Sequence, residues 1–500
     1  MAGIVGILGI ESGELNLMLE KISYRGTHET WVNKQSPVNL GCLELNVGGN
    51  CKDGAHHAYD GEVAAIIDGR IYNPGKGSMT DAEIVIDLYK KYGIRFAGKL
   101  DGDFAAVISD GGQMILARDW SGIKPLYYGH SDGRLCVASE AKALVSIAND
   151  VKEFPPGYVY SRELGFRKYA QESVETPEFE DYEQGKKIVK QLLMEAVEKR
   201  MKDNAVGGVL LSGGLDSSLI VYMAHEIQPD IKCFTVSMEE GQDLPLAKDV
   251  TKYLGVKHHI LMFGEEETKE ILPLAIYHQE MYEESCVHGA IANFLAGRFV
   301  SPHTRVVLTG EGADEFFAGY DGQFKKGNNP EEVASIVDKL INVAHNTALQ
   351  RLDRLNAACS YESRTPFLDA RVMDFALKIP IQHKIHGEEQ TGKWILRQAF
   401  EGCLPDHIIY QTKRFFAQGS GVAYIMRAQA ENEISPAELE AFNSVDGNPH
   451  LSSVEELYYY RIFKQTFPQP AYDRLVGRWD PLRPAFFLDI GLFAAPRTTE

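Results

Sequence analysis

Three short stretches of this 500-residue chain carry residue types that, at their spacing, do phosphate and proton chemistry. The first is Val209-Leu210-Leu211-Ser212-Gly213-Gly214-Leu215-Asp216-Ser217-Ser218, an apolar run followed by a Gly-Gly turn, an acid and two hydroxyls. It reads as a strand delivering a loop onto a helix N-terminus. Two glycines without Cβ atoms let backbone N–H groups converge on anionic oxygens beside the positive helix end. Ser212 and Ser217 then bind phosphate and Asp216 holds Mg²⁺. Taken alone, a Gly-Gly turn with an acid at a helix start is an ordinary structural arrangement.

The second stretch, Thr309-Gly310-Glu311-Gly312-Ala313-Asp314-Glu315, sets three carboxylates and two glycines after an apolar strand at 305–308. Acids beside a polyphosphate make sense when Mg²⁺ or a proton-transfer task offsets their repulsion. Asp314 suits the metal and Glu311 suits general base work; a solvated acidic loop is the plain alternative. The third stretch, Gln411-Thr412-Lys413-Arg414 running on to Gly419-Ser420-Gly421, joins two cations to a glycine-rich segment. Lys413 there would offset charge on the α-phosphate and the departing pyrophosphate, or belong to a surface cation pair. Arg364, in Ser363-Arg364-Thr365-Pro366-Phe367-Leu368-Asp369, is either a bidentate donor for a substrate carboxylate or a member of a structural ion pair.

The elements that must position these groups follow from periodicity. From residue 4 to about 169 the chain alternates in short β-rich runs at 62–68, 104–109, 113–117, 125–128 and 135–139, interrupted by one helix at 81–92. An acidic, Pro-bearing stretch at 172–181 has little apolar periodicity and reads as a connector. Helix and strand then alternate: helix 183–201, strand 208–211, a helix to 227, strand 231–236, helix 245–254, strand 258–261. That alternation predicts an α/β fold with a doubly wound parallel sheet, whose ligands sit beyond the carboxyl ends of the strands. Beyond residue 328 the pattern is mainly helical, and the predicted division is 1–170, a connector 171–184, and 185–500.

Composition narrows the class. Hydrophobic residues make up 44% and charged residues 24%, which suits a globular chain of two or three domains. A formal charge of −19 without a large Lys/Arg cluster argues against a nucleic-acid partner. The seven cysteines are scattered and form no C-x-x-C pair, which predicts a reducing, cytoplasmic setting without structural zinc. No apolar run approaches membrane-spanning length, so no membrane partner is expected.

The loop at 212–217 lacks the lysine of a Walker loop and resembles the SGGxDS pyrophosphate loop of ATP pyrophosphatases. Further along the chain, Gly3-Ile4-Val5-Gly6, Tyr24-Arg25-Gly26, Gly69 with Ile71-Tyr72-Asn73, Ala117-Arg118-Asp119, Gly122-Ile123-Lys124-Pro125-Leu126-Tyr127-Tyr128 and Ala138-Ser139-Glu140 occur in order. With the stretches around 310–315, 364–369 and Lys413, the chain resembles the glutamine-dependent asparagine synthetases over nearly its whole length. That resemblance implies an N-terminal Ntn-type αββα sandwich amidotransferase domain and a C-terminal ATP-pyrophosphatase domain. It implies that Leu211, Val236, Thr309 and Gly310 contact ATP and that Ser212, Gly213, Gly214, Asp216 and Ser217 hold pyrophosphate. Asp216 and Asp314 would bind Mg²⁺, Glu311 would support acyl-adenylate chemistry and Lys413 would stabilise the phosphates. The implied partners are an amino-acid substrate, aspartate by family, and ammonia or an amine, with a homodimer left open.

Departures from the family pattern carry as much information. The family's nucleophilic cysteine follows the initiator Met, whereas this chain has Ala2, and without a thiol no glutaminyl thioester forms. Ala2 alone is also what an engineered Cys→Ala exchange leaves. Two further changes point to natural loss of glutaminase: Asp68-Gly69-Arg70 stands where the family has Asn-Gly-Glu, and Cys42-Leu43-Glu44-Leu45-Asn46 lacks the arginine that binds the glutamine carboxylate. A carboxylate at Asp68 repels an oxyanion instead of stabilising it. Asp81, which in the family holds the glutamine α-amine, remains. In the second half, Ser285-Cys286-Val287-His288 replaces a Thr-Thr-Ile-Arg type segment near the acid pocket, making Ser285, Cys286 and His288 candidate determinants of the acid. The expected activity is ATP-dependent amide ligation through an acyl-AMP. The alternatives are a relative of β-lactam synthetase or lasso-peptide cyclase type, and a catalytically silent binding or regulatory subunit.

Overall fold

The computed structural model describes all residues except 10–12, 36, 48–55, 76, 173, 239–240, 321–328, 389, 413–420 and 478–500. Lys413 therefore lies outside the described residues.

Two six-stranded antiparallel sheets form the N-terminal half. Their strands are β1 (Ala2–Leu8), β2 (Glu29–Gln35), β3 (Val38–Glu44), β4 (His57–Tyr59), β5 (Ala64–Ile71), β6 (Gly102–Asp110), β7 (Gln113–Arg118), β8 (Tyr127–Ser131), β9 (Arg134–Ala138), β10 (Lys152–Glu153), β11 (Tyr158–Ser161) and β12 (Gly165–Lys168). One sheet runs β10-β8-β9-β1-β3-β2 and the other β12-β11-β7-β6-β5-β4. Strand β5 shows why these sequences stack: all eight of its residues are buried because each face meets another layer. Ala64 and Ile66 join Ile4, Leu40, Val107 and Leu116 between the sheets, while Ala65, Ile67 and Ile71 pack on Ala82, Val85 and Ile86 of the helix Asp81–Tyr92. A strand covered on both sides loses the polar/apolar alternation of an exposed one. On the outer face of the other sheet, Val5 and Ile7 pack on Leu15, Met18 and Leu19. The helix Glu14–Lys21 that supplies them corrects the expectation of a single helix in this half. It is eight residues long and begins at a left-handed Gly13 without a side-chain cap, so its start carries no sequence signal.

A capped helix opens the second half. Asp181 accepts a bond from the Gln184 N–H at 2.8 Å, and the helix Tyr182–Met201 follows. Its Val189, Leu193, Ala196 and Val197 pack against a parallel sheet. That sheet contains β13 (Gly208–Leu210), β14 (Lys232–Ser237), β15 (Lys257–Met262), β16 (Val306–Leu308) and β17 (Glu362–Arg364), in the order β15-β14-β13-β16-β17. The chain winds from β13 outward to β15, then returns to β16 on the other side. This reversal between β13 and β16 opens a crevice at their carboxyl ends. Strand β17, Glu-Ser-Arg, escaped the sequence reading because it has no apolar alternation.

Buried ion pairs join the halves. Arg25 is fully buried against Asp68 at 2.6 Å, Glu140 at 2.8 Å and Asp353 at 2.7 Å, and Lys124 reaches Asp353 at 2.9 Å. Among the described residues no helix is long and apolar enough to cross a membrane.

Candidate active site

Strand β13 ends at Leu210, and residues 211–214 turn into the helix Leu215–Ile227. Gly213 sits at φ +91°, and a Cβ there would lie 2.5 Å from the Asp243 carbonyl oxygen, so only glycine fits the turn. The hydroxyls shape the loop from inside. Ser212 Oγ and Ser217 Oγ lie 3.0 Å apart, Gly214 N–H donates to Ser212 Oγ at 3.2 Å, and Ser212 N–H donates to Ser217 Oγ at 3.2 Å. A short polar shell thus holds several N–H groups near a helix N-terminus, the arrangement that receives phosphate oxygens.

The loop after β16 presses against this one. A Cβ on Gly310 would lie 2.8 Å from both Asp216 Cβ and the Ser217 nitrogen, so the absence of a side chain permits the contact. Asp314 then comes close enough to share a cation with Asp216: Lys393 Nζ lies 2.5 Å from one carboxylate and 2.6 Å from the other. Lys393 is 2% exposed and holds a left-handed φ of +58°, a conformation that costs a non-glycine residue about 1–2 kcal/mol. Its two ion pairs offset that strain. Two carboxylates converging on one cation position make the hard oxygen donor set that Mg²⁺ requires, so the residues present fit that metal.

Glu311 lies on the same cleft, bonded by Arg351 Nη2 at 3.0 and 3.2 Å through its two oxygens. Glu315 sits behind it, 2% exposed and bonded to the Tyr320 hydroxyl at 2.5 Å. Burial, reinforced by Asp314 and Glu311, pushes the Glu315 carboxyl up to about 7. At the other end the cleft is apolar, lined by Leu210, Leu211, Phe234, Val236, Ala296 and Leu352, a surface suited to a planar base.

Leu211, Ser212, Asp216, Ser217, Val236, Thr309, Gly310, Glu311 and Asp314, predicted from the sequence for this site, all line one cleft. Gly213 and Gly214 form the turn beneath it, and Gln411, two residues before Lys413, donates to the Gly213 carbonyl at 2.9 Å. Three other candidates lie apart from this cleft. Ser285 is exposed on the first turn of the helix Glu284–Val300, Cys286 packs into the core at 4% exposure, and His288 bonds to Glu455. None of the three lines the cleft. The same helix reaches it further along, through Asn293 and Ala296. Arg364 also stays away: its guanidinium is committed to Asp203 at 2.7 Å and Glu362 at 2.8 Å at 2% exposure, the structural ion pair that was its alternative reading. The residues missed from sequence, Lys393, Arg351 and Asn293, come from separate elements without a contiguous motif. Only the glycine before Lys393 hints at unusual backbone there.

Comparison with known families settles the class. The asparagine synthase family model matches residues 188–338 and 328–482, and a glutamine amidotransferase domain model matches residues 1–155. The chain belongs to the asparagine synthase family. It is 33% identical to the asparagine synthetase [glutamine-hydrolyzing] of Triphysaria versicolor, over 82% of this chain and 75% of that relative. It is 32% identical to asparagine synthetase B [glutamine-hydrolyzing] of Escherichia coli, over 78% and 74% respectively. A glutamine phosphoribosylpyrophosphate amidotransferase from B. subtilis aligns at TM-score 0.28 and 14% identity, covering 52% of this chain and 65% of that one. A glutamine-dependent NAD+ synthetase from Acinetobacter baumannii aligns at TM-score 0.26 and 11% identity, covering 77% and 56%. Like other asparagine synthases, this protein is an ATP-dependent carbon–nitrogen ligase with an amidotransferase-type domain at its N-terminus.

In the synthase's N-terminal half, the residues around Ala2 are tied to neighbouring side chains. Ala2 is fully buried, and its N–H donates to Asp68 Oδ1 at 2.9 Å, with the other Asp68 oxygen on Arg25. Gly69, at φ +133°, passes so close to the Asp103 carbonyl that a Cβ would lie 1.8 Å from its oxygen. Arg70 turns its guanidinium toward Asp81 at 3.6 Å and bonds Asp203 at 3.0 Å. Glu44 accepts from the His56 N–H at 2.8 Å and lies 2.8 Å from His57 Nδ1. Burial alone would raise the Glu44 carboxyl, yet these bonds outweigh it and hold the group below its ordinary range.

Proposed function

We propose that this synthase activates an amino-acid carboxylate, aspartate by family, as an acyl-adenylate and amidates it with free ammonia or another small amine rather than with nitrogen from glutamine. The observation that carries the reading is the convergence of Asp216, Asp314 and Glu311 on the loop 212–217. In this reading the loop N–H groups and the hydroxyls of Ser212 and Ser217 bind the β and γ phosphates of ATP, while the apolar end of the cleft receives the adenine. The acid's carboxylate oxygen attacks the α-phosphorus, the bond to the β-phosphate oxygen breaks, and pyrophosphate leaves. The amine nitrogen then attacks the acyl carbon and AMP leaves, its proton passing to a base for which Glu311 is placed. Asp216 and Asp314 would hold Mg²⁺, which when bound offsets the polyphosphate charge. Lys393, paired with both acids, keeps the two carboxylates together and moves toward phosphate oxygens as the cleft fills. Lys413 completes the phosphate site in this proposal.

Three features support a silent glutaminase: Ala2 offers no thiol, Asp68 sets a carboxylate where an oxyanion would need a donor, and Arg70 already neutralises Asp81. The division into 1–170, connector 171–184 and 185–500 belongs to the same proposal, the helix Tyr182–Met201 starting in the last residues of that connector. Product analysis with ATP labelled at the α and γ positions tests the reading. AMP and pyrophosphate are expected in equal amounts with aspartate and ammonium. ADP and inorganic phosphate as products, or no turnover with any amino acid tried, would remove it.

A further inference from the structure

Away from the cleft, the helix Glu284–Val300 meets the helix Val454–Thr466 over a group of metal-ligating side chains. Glu284 and His288 stand one turn apart on one helix face, and Glu455 approaches from the other helix. One ligand atom from each lies within 4.8 Å of the other two. Both carboxylates are oriented from outside the group. The Ser453 hydroxyl donates to Glu284 Oε2 at 2.6 Å, and the Tyr459 hydroxyl donates to Glu455 Oε1 at 2.6 Å, which also faces His288 Nε2. Glu455 is 2% exposed, and its second oxygen, Oε2, is buried without a hydrogen-bond partner. A buried carboxylate oxygen left unbonded costs free energy unless something else binds it. The Arg427 guanidinium is exposed and lies 3.7 Å from Glu284, on its outer side.

We propose that Glu284, His288 and Glu455 bind one first-row divalent cation, zinc by their donor set, and that it staples the two helices together. An imidazole with two carboxylates matches zinc rather than Mg²⁺, and three protein ligands leave one position for water. The hydroxyls of Ser453 and Tyr459 are the outer-sphere donors such a site uses to fix its ligands.

The test uses the full chain, stripped with a chelator, desalted, and titrated with Zn²⁺ alone and separately with Co²⁺. One zinc per chain is expected, with a visible cobalt band. His288→Gln, which removes the imidazole but keeps a hydrogen-bond donor, and Glu284→Gln, on the half-exposed side, both lose the zinc and the band. Tyr459→Phe binds about 10- to 100-fold more weakly. Asp216→Asn retains the zinc, separating this site from the carboxylates of the cleft. Native protein that takes up no zinc, or a Glu284→Gln or His288→Gln variant with unchanged affinity and cobalt spectrum, overturns the proposal.

Discussion

Lys393 is the residue on which the cleft turns in the absence of substrate. It holds two aspartates that would otherwise repel each other, and all three groups are largely buried. Breaking a buried pair from one side leaves uncompensated charge, which costs about 3–5 kcal/mol. Lys393→Met is therefore expected to lower stability by that amount in urea titration without nucleotide, and Mg-ATP should restore part of it. A variant as stable as the native protein would show that the two carboxylates do not depend on this cation. Asp216→Asn, nearly isosteric, is expected to leave the fold intact while cutting pyrophosphate release by about a hundredfold or more, a loss like that of one preorganised electrostatic group. Unchanged turnover would take Asp216 out of the metal site. At this scale the sequence was legible where chemistry is contiguous. Glycines, acid and hydroxyls sit within one loop at 212–217, whereas Lys393 and Arg351 reach the same place from distant helices with no local signature. Arg364 could be read two ways, and only the position of Asp203 decides between them.

The two loops after β13 and β16 are the elements that make the cleft, and Gly310 sets the distance between them. With 2.8 Å to both Asp216 Cβ and the Ser217 nitrogen, an added methyl must push the loops apart. Gly310→Ala is expected to lower stability, because the methyl meets the buried Asp216–Ser217 backbone, and to weaken ATP binding and pyrophosphate release together. Equilibrium nucleotide binding checks this, and a variant binding ATP like the native protein would mean that the loops tolerate separation. Strand and helix periodicity revealed the alternation around this cleft because the strands are apolar and the helices amphipathic. It missed β17, three polar-flanked residues held by pairing with β16, and the uncapped helix Glu14–Lys21, whose identity comes from the sheet it covers. The same blindness hid the end of the helix Glu284–Val300 that matters: the unusual residues at its start drew notice, while Asn293 and Ala296 form the wall.

Across the whole molecule, Asp68, beside Ala2, takes part in the joint between the halves. Arg25, at the centre, satisfies Asp68, Glu140 and Asp353 together. Arg25→Met would take the shared cation from three buried carboxylates, leaving Asp353 to Lys124, Glu140 to Lys142 and Asp68 to the Ala2 N–H, and a loss of about 3–5 kcal/mol is expected, with the two halves melting separately in calorimetry. A single unshifted transition would contradict this. Acid acts on this joint and on the ion pairs within the second half. Burial alone would raise the carboxyls of Asp353, Glu362 and Asp369, but neighbouring cations outweigh it and hold all three below their ordinary range, Asp369 at about 2. Depressed carboxyls contribute stability that is present above their unfolded value of about 4 and lost as pH falls through the folded values. Asp103 and Glu315, pushed up to about 7 by burial, act in the opposite sense, but only between about pH 4 and 7. The urea midpoint is therefore expected to fall steadily between pH 4 and pH 2, and a flat profile there would show that these ion pairs do not support the fold.

The nitrogen donor decides the account as a whole. With ATP, Mg²⁺ and aspartate, pyrophosphate and glutamate release are to be measured side by side with ammonium or glutamine as donor, for the native protein and for Ala2→Cys. The account expects pyrophosphate and asparagine with ammonium, and no glutamate from glutamine in either protein, because Asp68 and the Arg70–Asp81 pair oppose glutamine even when a thiol is present. Glutamate released by Ala2→Cys in step with pyrophosphate would show that the pocket still accepts glutamine, and would contradict the reading of this chain as an asparagine synthase that has lost its glutaminase.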